Sequence, residues 1–391
     1  MTQPRRIYLD NAATTWPKPE AVYDAVDHYQ RHIGAPNGRS GYREAQESNR
    51  IVERVRRGVA DIIGASEASH IILGLNCSDM LNIAIRGAVR PGDHVVTTVC
   101  DHNSVLRPLR MLSEEANVEV TYVPCDSQGF VSPDDIKSAI RAKTRLVAVN
   151  HASNVTGAIQ AIDDIGRIVR TTDALFLVDA AQSLGHVPVD VRSCFADLLA
   201  APGHKGLLGP LGTGILYIRP GIESEVKPLR LGGTGTQSDE DRQPDVLPQK
   251  YEPGNHNLVG LAGLVAATEF LREETIEAIH AHHSQLARQL TEELSEIEGV
   301  TIHGPKLAGD RTSVVSVTVD GYEPQELAAI LDSTYRIQTR AGFQCAPRMH
   351  EALGIVAGGG TLRFSPGFAT TAEEITQAVN ALQEVAAIAI K

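Results

Sequence analysis

The sequence predicts an α/β protein: a seven-stranded, mostly parallel sheet domain joined to a smaller α+β domain. Three observations lead there. Short apolar runs alternate with amphipathic helical stretches through the first half of the chain, the pattern of a sheet covered by helices on both faces. Beyond Leu271 the texture changes to long charged helical sequence followed by short strands. A chain of 391 residues with 42% hydrophobic and only 4% aromatic residues can also bury a large aliphatic core, enough for two domains.

Taken in order, the apolar runs predict strands at His70 to Gly74, His94 to Thr98, Val118 to Val123, Arg145 to Asn150, Leu175 to Asp179, Asp197 to Ala201 and Gly214 to Ile218. Between them lie helical patterns such as SPDDIKSAIRAK, with Ser132 at the N-cap and Pro133 at the first helical position. The second half begins with ETIEAIHAHHSQLARQLTEELSEI. Strands follow around Thr301 and from Ser313 to Val319, then an alternating TLRFSPG segment and a closing helix from Thr371. This places a large domain at 15–272 and a small one at 1–14 with 273–391. The polar stretch Gly232 to Lys250 is the candidate for a long functional loop.

Composition excludes several classes of function. The net charge of −12 argues against a nucleic-acid surface, and the dense basic runs, Arg5-Arg6 and Arg54 to Arg57, are too short for an electrostatic footprint. No early apolar run resembles a signal peptide and no stretch approaches ~18 uninterrupted apolar residues, so a cytoplasmic protein without a membrane partner is expected. Cys77, Cys100, Cys125, Cys194 and Cys345 show no CxxC spacing. Neither a metal site nor a disulfide framework is expected, and reduced thiols are the default.

Two segments carry the chemistry. LFLVDAAQS ends an apolar strand on Asp179 and adds Gln182, and APGHKGLLGPLGTG then presents Lys205 in a Gly-rich turn. Pyridoxal phosphate (PLP) requires this pair: an amine to form a Schiff base with its aldehyde, and an anion to keep the pyridine nitrogen protonated so that the ring acts as an electron sink. A lysine working near neutral pH must have its pKa lowered from ~10.4 by ~2 to 3, roughly 3 to 4 kcal/mol. A lone strand cap and a lone solvated lysine remain the alternative for these residues taken singly.

LVDAAQSLGHVPVDV followed by DLLAAPGHKGLLGPLGTGILYI, with IYLDNAATTWPKPEAV near the start, resembles the class V PLP-dependent aminotransferase family. Within it the chain is most similar to the cysteine desulfurase and selenocysteine lyase group, of fold type I (aspartate aminotransferase-like). The resemblance spans nearly the whole chain. It implies that Lys205 carries PLP, that Asp179 holds the pyridinium proton, and that His102 of DHNSVLRPLR stacks on the ring and assists proton transfers. Cys77 and Ser78 of LGLNCSDMLN would meet the phosphate, with His204 a structural or phosphate-side neighbour. Asn154 and Gln182 can hydrogen-bond the phenolic oxygen. Arg363 of GTLRFSPGF would anchor the substrate carboxylate, with Asn11 and Asn154 also on the substrate side. By spacing alone, a helix cap at Ser78 or Asp79, a turn histidine at His102, a turn asparagine at Asn154 and a solvent-facing Arg363 stay open.

TRAGFQCAPRMHEALG holds Cys345, the residue that chooses among functions. In the resembled family a loop cysteine after an RAG sequence attacks the substrate's sulfur and becomes a persulfide. An unperturbed thiol with a pKa of ~8.5 is only slightly ionised at neutral pH, so Arg340, Arg348 or His350 nearby would raise the reactive fraction. A buried, inert cysteine is the alternative, against which stands its Gly- and Pro-bounded loop. The resemblance implies a homodimer with shared active sites that converts L-cysteine, or L-selenocysteine, to L-alanine. The sulfur would pass to a thiol or a sulfur-acceptor protein. Two other readings stand: an aminotransferase, lyase or epimerase of the same fold acting on another amino acid, and a non-catalytic PLP-binding scaffold for sulfur-transfer partners. Pro202 stands where relatives commonly have Ser or Thr, and Asn255 where they often lend a threonine from the partner subunit, which weakens the phosphate contacts.

Overall fold

The computed structural model describes residues 6–38, 40–235, 239–306 and 308–389. Arg5, residues 236–238 of the polar loop and the ends of the small-domain ranges (1–5 and 390–391) lie outside the described residues. After a short strand β1 (Ile7–Tyr8), the predicted strands appear as β2 (Ile71–Gly74), β3 (His94–Thr98), β4 (Glu119–Val123), β5 (Thr144–Asn150), β6 (Leu175–Asp179), β7 (Leu198–Pro202) and β8 (Gly214–Ile218). These seven form one sheet in the order β2-β8-β7-β6-β5-β3-β4. β4, β3, β5, β6 and β7 run parallel, while β8 is antiparallel to both β7 and β2.

The pleat explains why these strands read as unbroken apolar runs. Val147, Val149, Phe176, Val178, Leu199 and Ala201 pack into one hydrophobic core, and Leu146, Ala148, Leu175, Leu177, Leu198 and Ala200 into another. Alternate residues therefore face opposite helical layers, and neither face meets water. β4 is the edge. Its Glu119 pairs with Arg141 and Lys143, charge that discourages pairing with another chain.

Four further strands, β9 (Val300–His303), β10 (Val315–Val319), β12 (Arg340–Gly342) and β13 (Thr361–Phe364), form an antiparallel sheet in the order β12-β13-β10-β9. β11 (Ile337–Gln338) pairs in parallel with β1. Helices Ile276–Ser295 and Ala372–Ala389 cover this part, where Ile7 and Leu9 share a core with Leu290, Val317, Phe364 and Leu382. Thr371 and Glu374 exchange side-chain to backbone hydrogen bonds at the start of the last helix, a capping box. Ser132 stands at the N-cap of helix Pro133–Ala139 as expected, but only its carbonyl engages the helix, accepting the Ile136 N–H; its hydroxyl makes no cap bond. Among the described residues no helix is long and apolar enough to cross a membrane.

Candidate active site

β3, β5, β6 and β7 are parallel and end at the same edge of the sheet, where ligands gather in open α/β folds. A cavity at that edge is lined by Cys77, Ser78, His102, Asn154, Asp179, Gln182, His204 and Lys205, with Ser104, Asn150 and Pro202. The cofactor residues expected from the sequence thus come together, whereas Asn11, Cys345 and Arg363 are not among the lining residues. A larger cavity of about 970 Å³ lies elsewhere, against Arg54, His151, Asp190 and Arg272, and holds none of them.

The turn that presents Lys205 is held by its backbone. The Lys205 carbonyl accepts the Leu208 N–H at 2.8 Å and the Thr15 hydroxyl at 2.9 Å. The His204 carbonyl accepts the Lys18 ammonium at 2.7 Å and the Thr14 hydroxyl and Thr15 N–H at 3.2 Å each. Sequence reasoning missed this strap. Its one signal is that Thr14, Thr15 and Lys18 belong to the same NAATTWPKP segment that carries the resemblance. The turn also needs Gly206, because a Cβ there would lie 2.2 Å from the Leu184 carbonyl oxygen and 2.8 Å from the His186 ring. Gly206→Ala is expected to shift the Lys205 backbone and lower cofactor affinity at least ~10-fold, about 1.4 kcal/mol, measurable by equilibrium dialysis of PLP.

Lys205 keeps a little surface toward the cavity, but protein surrounds its amine. Burial lowers its pKa and the Arg363 and Arg340 charges add to that, while Asp179 opposes it. The shift has the direction a nucleophilic amine needs. Asp179 closes β6 and is buried, with Oδ1 accepting the Ala181 N–H at 2.9 Å and the Cys77 thiol at 3.7 Å. Burial raises the Asp179 pKa against the pull of the Ala181 N–H and Lys205. Burial and the neighbouring Asp179 also push the Cys77 thiol up, so it stays protonated and donates.

Two helices begin side by side at this cavity. Asn76, not Ser78 or Asp79, caps helix Cys77–Ala88 by accepting the Asp79 N–H at 2.9 Å. His102 itself caps helix Asn103–Ala116, its Nδ1 accepting the Ser104 N–H at 3.0 Å. The Ser78 and Ser104 hydroxyls hydrogen-bond at 2.6 Å, which joins the two helix starts. The first helix leaves its Cys77 and Ser78 N–H groups for an anion, whereas the Asn103, Ser104, Val105 and Leu106 N–H groups of the second are taken by the Cys345 carbonyl and by His102. Because a backbone N–H can only donate, His102 Nδ1 is unprotonated and the neutral ring carries its proton on Nε2. Burial, then the positive charges of Lys205 and Arg340, lower the His102 pKa to about 4. An NMR titration should therefore show a neutral His102 from about pH 5.5 to about pH 8, where an unperturbed histidine would titrate. His204 is likewise lowered to about 4 by burial, and its Nδ1 has no partner.

The remaining residues tie this cavity to the Cys345 loop. The Asn154 side-chain amide donates to the Gln344 carbonyl, and the Asn154 carbonyl accepts from Arg363 Nη1 at 3.1 Å. Arg363 is only 2% exposed and pairs with Asp10 at 2.6 Å, while its Nε has no partner. It does not face solvent. Asp10, beside Asn11 in the sequence, was not singled out there. Asn11 donates to the Tyr8 and Ser365 carbonyls and accepts the Trp16 N–H, so its amide holds backbone. Gln182 donates to the Ala12 carbonyl at 2.9 Å.

Cys345 is exposed, which removes the reading of a buried, inert thiol. Gln344 and Cys345 both have positive φ, 42° and 61°, and the Cys345 carbonyl accepts the N–H of Asn103, next to His102, at 2.7 Å. Of the three groups expected to activate it, Arg348 stacks on the Tyr122 ring at 3.8 Å. His350 is buried, with Nδ1 on the Ala346 carbonyl, and burial lowers its pKa, so it supplies no cation. Pro202 lines the cavity, while Asn255 lines a separate one with Leu75 and Arg230.

The set fits PLP: an amine biased toward neutrality, a strand-end carboxylate, a neutral ring beside both, and a helix N-terminus with two serine hydroxyls for a phosphate. The model of the aminotransferase class-V family matches residues 7–378. A probable cysteine desulfurase of Methanothermobacter thermautotrophicus is 38% identical over 384 residues, 97% of this chain and 94% of its own. A cysteine desulfurase of Haloferax volcanii is 30% identical, covering 96% of this chain and 88% of its own. The solved apo structure of a cysteine desulfurase from Thermococcus onnurineus superposes with a TM-score of 0.91 at 34% identity, covering 98% of this chain and 95% of that one. With cavity, sheet order and sequence in agreement over nearly the full length, the chain belongs to the aminotransferase class-V family.

Proposed function

We propose that this protein is a PLP-dependent cysteine desulfurase that converts L-cysteine to L-alanine, with Cys345 receiving the sulfur; L-selenocysteine would be handled in the same way. The observation that carries this reading is the junction of two features. A cavity holding Lys205, Asp179 and His102 is hydrogen-bonded, through Asn154 to Gln344 and through Asn103 to Cys345, to a loop bearing an exposed thiol.

Bound PLP supplies an aldehyde for covalent capture of amino groups and a ring that withdraws electrons from the substrate's Cα. Lys205 would hold it and, once released, take the Cα proton, which requires the neutral amine that burial favours. Asp179 would keep the pyridine nitrogen protonated, and Cys77 and the Ala181 N–H steady that carboxylate. The helix start at Cys77 and Ser78, with the Ser78 and Ser104 hydroxyls beside it, would receive the phosphate. His102 covers the site with an Nε2–H available to donate. Arg363 would anchor the substrate carboxylate through two parallel hydrogen bonds, held in place by Asp10 and the Asn154 carbonyl. Cys345, as thiolate, would attack the substrate's sulfur; the S–S bond forms as the C–S bond breaks, the C–S electron pair stays on the carbon fragment, which takes up protons to become L-alanine, and a persulfide is left on Cys345. A thiol or an acceptor protein would relieve it. We further propose a cytoplasmic homodimer in which Asn255, which lines a different cavity from Lys205, serves the partner's site.

The test is release of L-alanine and sulfide from L-cysteine with a reductant and added PLP. Release by wild type that collapses in Cys345→Ala supports the proposal. Equal release by both proteins would make Cys345 a bystander and the enzyme a simple lyase.

A further inference from the structure

β3 and β4 run parallel with Thr98 opposite Val123, and the Val99 N–H still reaches the Val123 carbonyl at 3.0 Å. Each chain then places a cysteine two residues beyond that pair, Cys100 after β3 and Cys125 after β4. Neighbouring strands lie ~4.8 Å apart, inside the ~4.4 to 6.8 Å between Cα atoms that a disulfide spans. The two thiols converge on one spot: Cys100 Sγ lies 3.6 Å from the Gly129 carbonyl, Gly129 packs against the Met349 methyl, and Met349 Sδ in turn touches Cys125. Both are free; Cys100 is buried and Cys125 partly exposed. The mechanism uses neither.

Their surroundings give the pair a reach. Cys100 stands two residues before His102, and its carbonyl accepts the Asn150 amide at 3.1 Å. Cys125 Sγ lies 3.9 Å from Met349 Sδ, on the helix Pro347–Ala352 that follows the Cys345 loop. We propose that Cys100 and Cys125 form a redox pair that closes to a reversible disulfide on exposure to a hydroperoxide, coupling the His102 turn to the support of the Cys345 loop.

The steps balance without further reagents. Cys125, the accessible partner, attacks the peroxide as thiolate. The O–O bond breaks, giving a Cys125 sulfenic acid and an alcohol, or water when the oxidant is hydrogen peroxide. Cys100 sulfur then displaces the sulfenic oxygen as water and the S–S bond forms. The two sulfurs lose two electrons in all, the peroxide gains them, and both thiol protons end in the products. With Cys100 beside it the pKa of Cys125 is lowered, the direction an attacking thiol needs. A cysteine pair of this kind in a chain without a structural disulfide framework belongs to the transient, redox-sensing class.

The experiment uses PLP-loaded Cys345→Ser protein, so that the exposed Cys345 does not compete for oxidant. After stoichiometric hydrogen peroxide, free thiols are alkylated and peptides mapped by mass spectrometry. The expected result is a Cys100–Cys125 cross-linked peptide that dithiothreitol abolishes and that is missing from Cys345→Ser/Cys125→Ala. With it the bound-cofactor absorbance should shift and recover on reduction, and the Cys125→Ala background should show no shift. Recovery of Cys100 and Cys125 as separate alkylated thiols, or as Cys125 sulfinic acid without a link, would overturn the pair. A cross-link with unchanged absorbance would overturn its coupling to the His102 turn. The mapping needs no turnover, so it stands or fails independently of the desulfurase reading.

Discussion

Lys205→Ala is expected to eliminate the absorbance of covalently bound PLP and to lower turnover of L-cysteine by at least ~1,000-fold, about 4 kcal/mol of transition-state stabilisation. Among the residues lining the cavity, Lys205 carries the lone side-chain amine, and burial has already moved it toward its nucleophilic form. Lys205→Arg should fail as completely, because a guanidinium stays protonated. Neither variant should unfold, since the contacts that hold the turn are made to the His204 and Lys205 carbonyls by Thr14, Thr15 and Lys18. Thermal melting of the apo proteins checks this point. A folded Lys205→Ala protein that kept the covalent absorbance band would contradict the assignment.

Arg56→Met is expected to cost ~3 to 5 kcal/mol of folding stability, far more than a surface charge would. Arg56 and Glu252 are both buried and pair through two parallel hydrogen bonds, one of them 2.7 Å. Glu252 also accepts the Leu73 N–H at 2.6 Å and lies 3.1 Å from His256, and Arg56 also donates to the Ile71 carbonyl. The hub thus joins helix Arg43–Ile63, strand β2 and the segment that follows the long polar loop. Burial alone would raise the Glu252 pKa, but Arg56 and His256 more than offset it and hold the carboxyl below its ordinary value. Its stabilising contribution is therefore present above the unfolded carboxylate pKa of ~4.3 and is lost as pH falls through the lower folded value. In Arg56→Met only the Leu73 N–H and His256 still oppose the burial, and the carboxyl pKa rises. The deficit should then grow as pH climbs above ~4.3, and Arg56→Met/Glu252→Leu should recover part of it. Urea unfolding at acidic and neutral pH measures both effects; a loss under ~1 kcal/mol at neutral pH would contradict the account.

The sheet was legible mainly through its central strands, which are buried on both faces and so read as near-continuous apolar runs, as in LFLVD and GILYI, whereas edge strand β4, EVTYV, is only partly buried and mixes in polar residues. β1, β11 and β12 were not legible, since two or three residues show no period and their pairing is fixed by chain far away in sequence. The same distinction divides the site. Lys205 and Asp179 announce their chemistry by residue type at the ends of strands. By contrast, Lys18 meets His204, Asp10 meets Arg363 and Arg56 meets Glu252 across separations that only the folded chain closes. The cap at Asn76 was misread because Asn, Ser and Asp follow one another closely, all competent caps, and only backbone geometry chooses between them. His350 and Arg348 looked like activators of Cys345 by proximity in sequence, but the helix they start turns one into the interior and the other onto Tyr122.

The most direct test of the central claim is to locate the sulfur. PLP-loaded protein is given one equivalent of L-cysteine without reductant, alkylated at once and digested, and the peptide containing Cys345 is weighed. One additional sulfur atom on Cys345, formed in step with L-alanine, is the predicted result. L-alanine formed while Cys345 carries no extra sulfur would contradict the account.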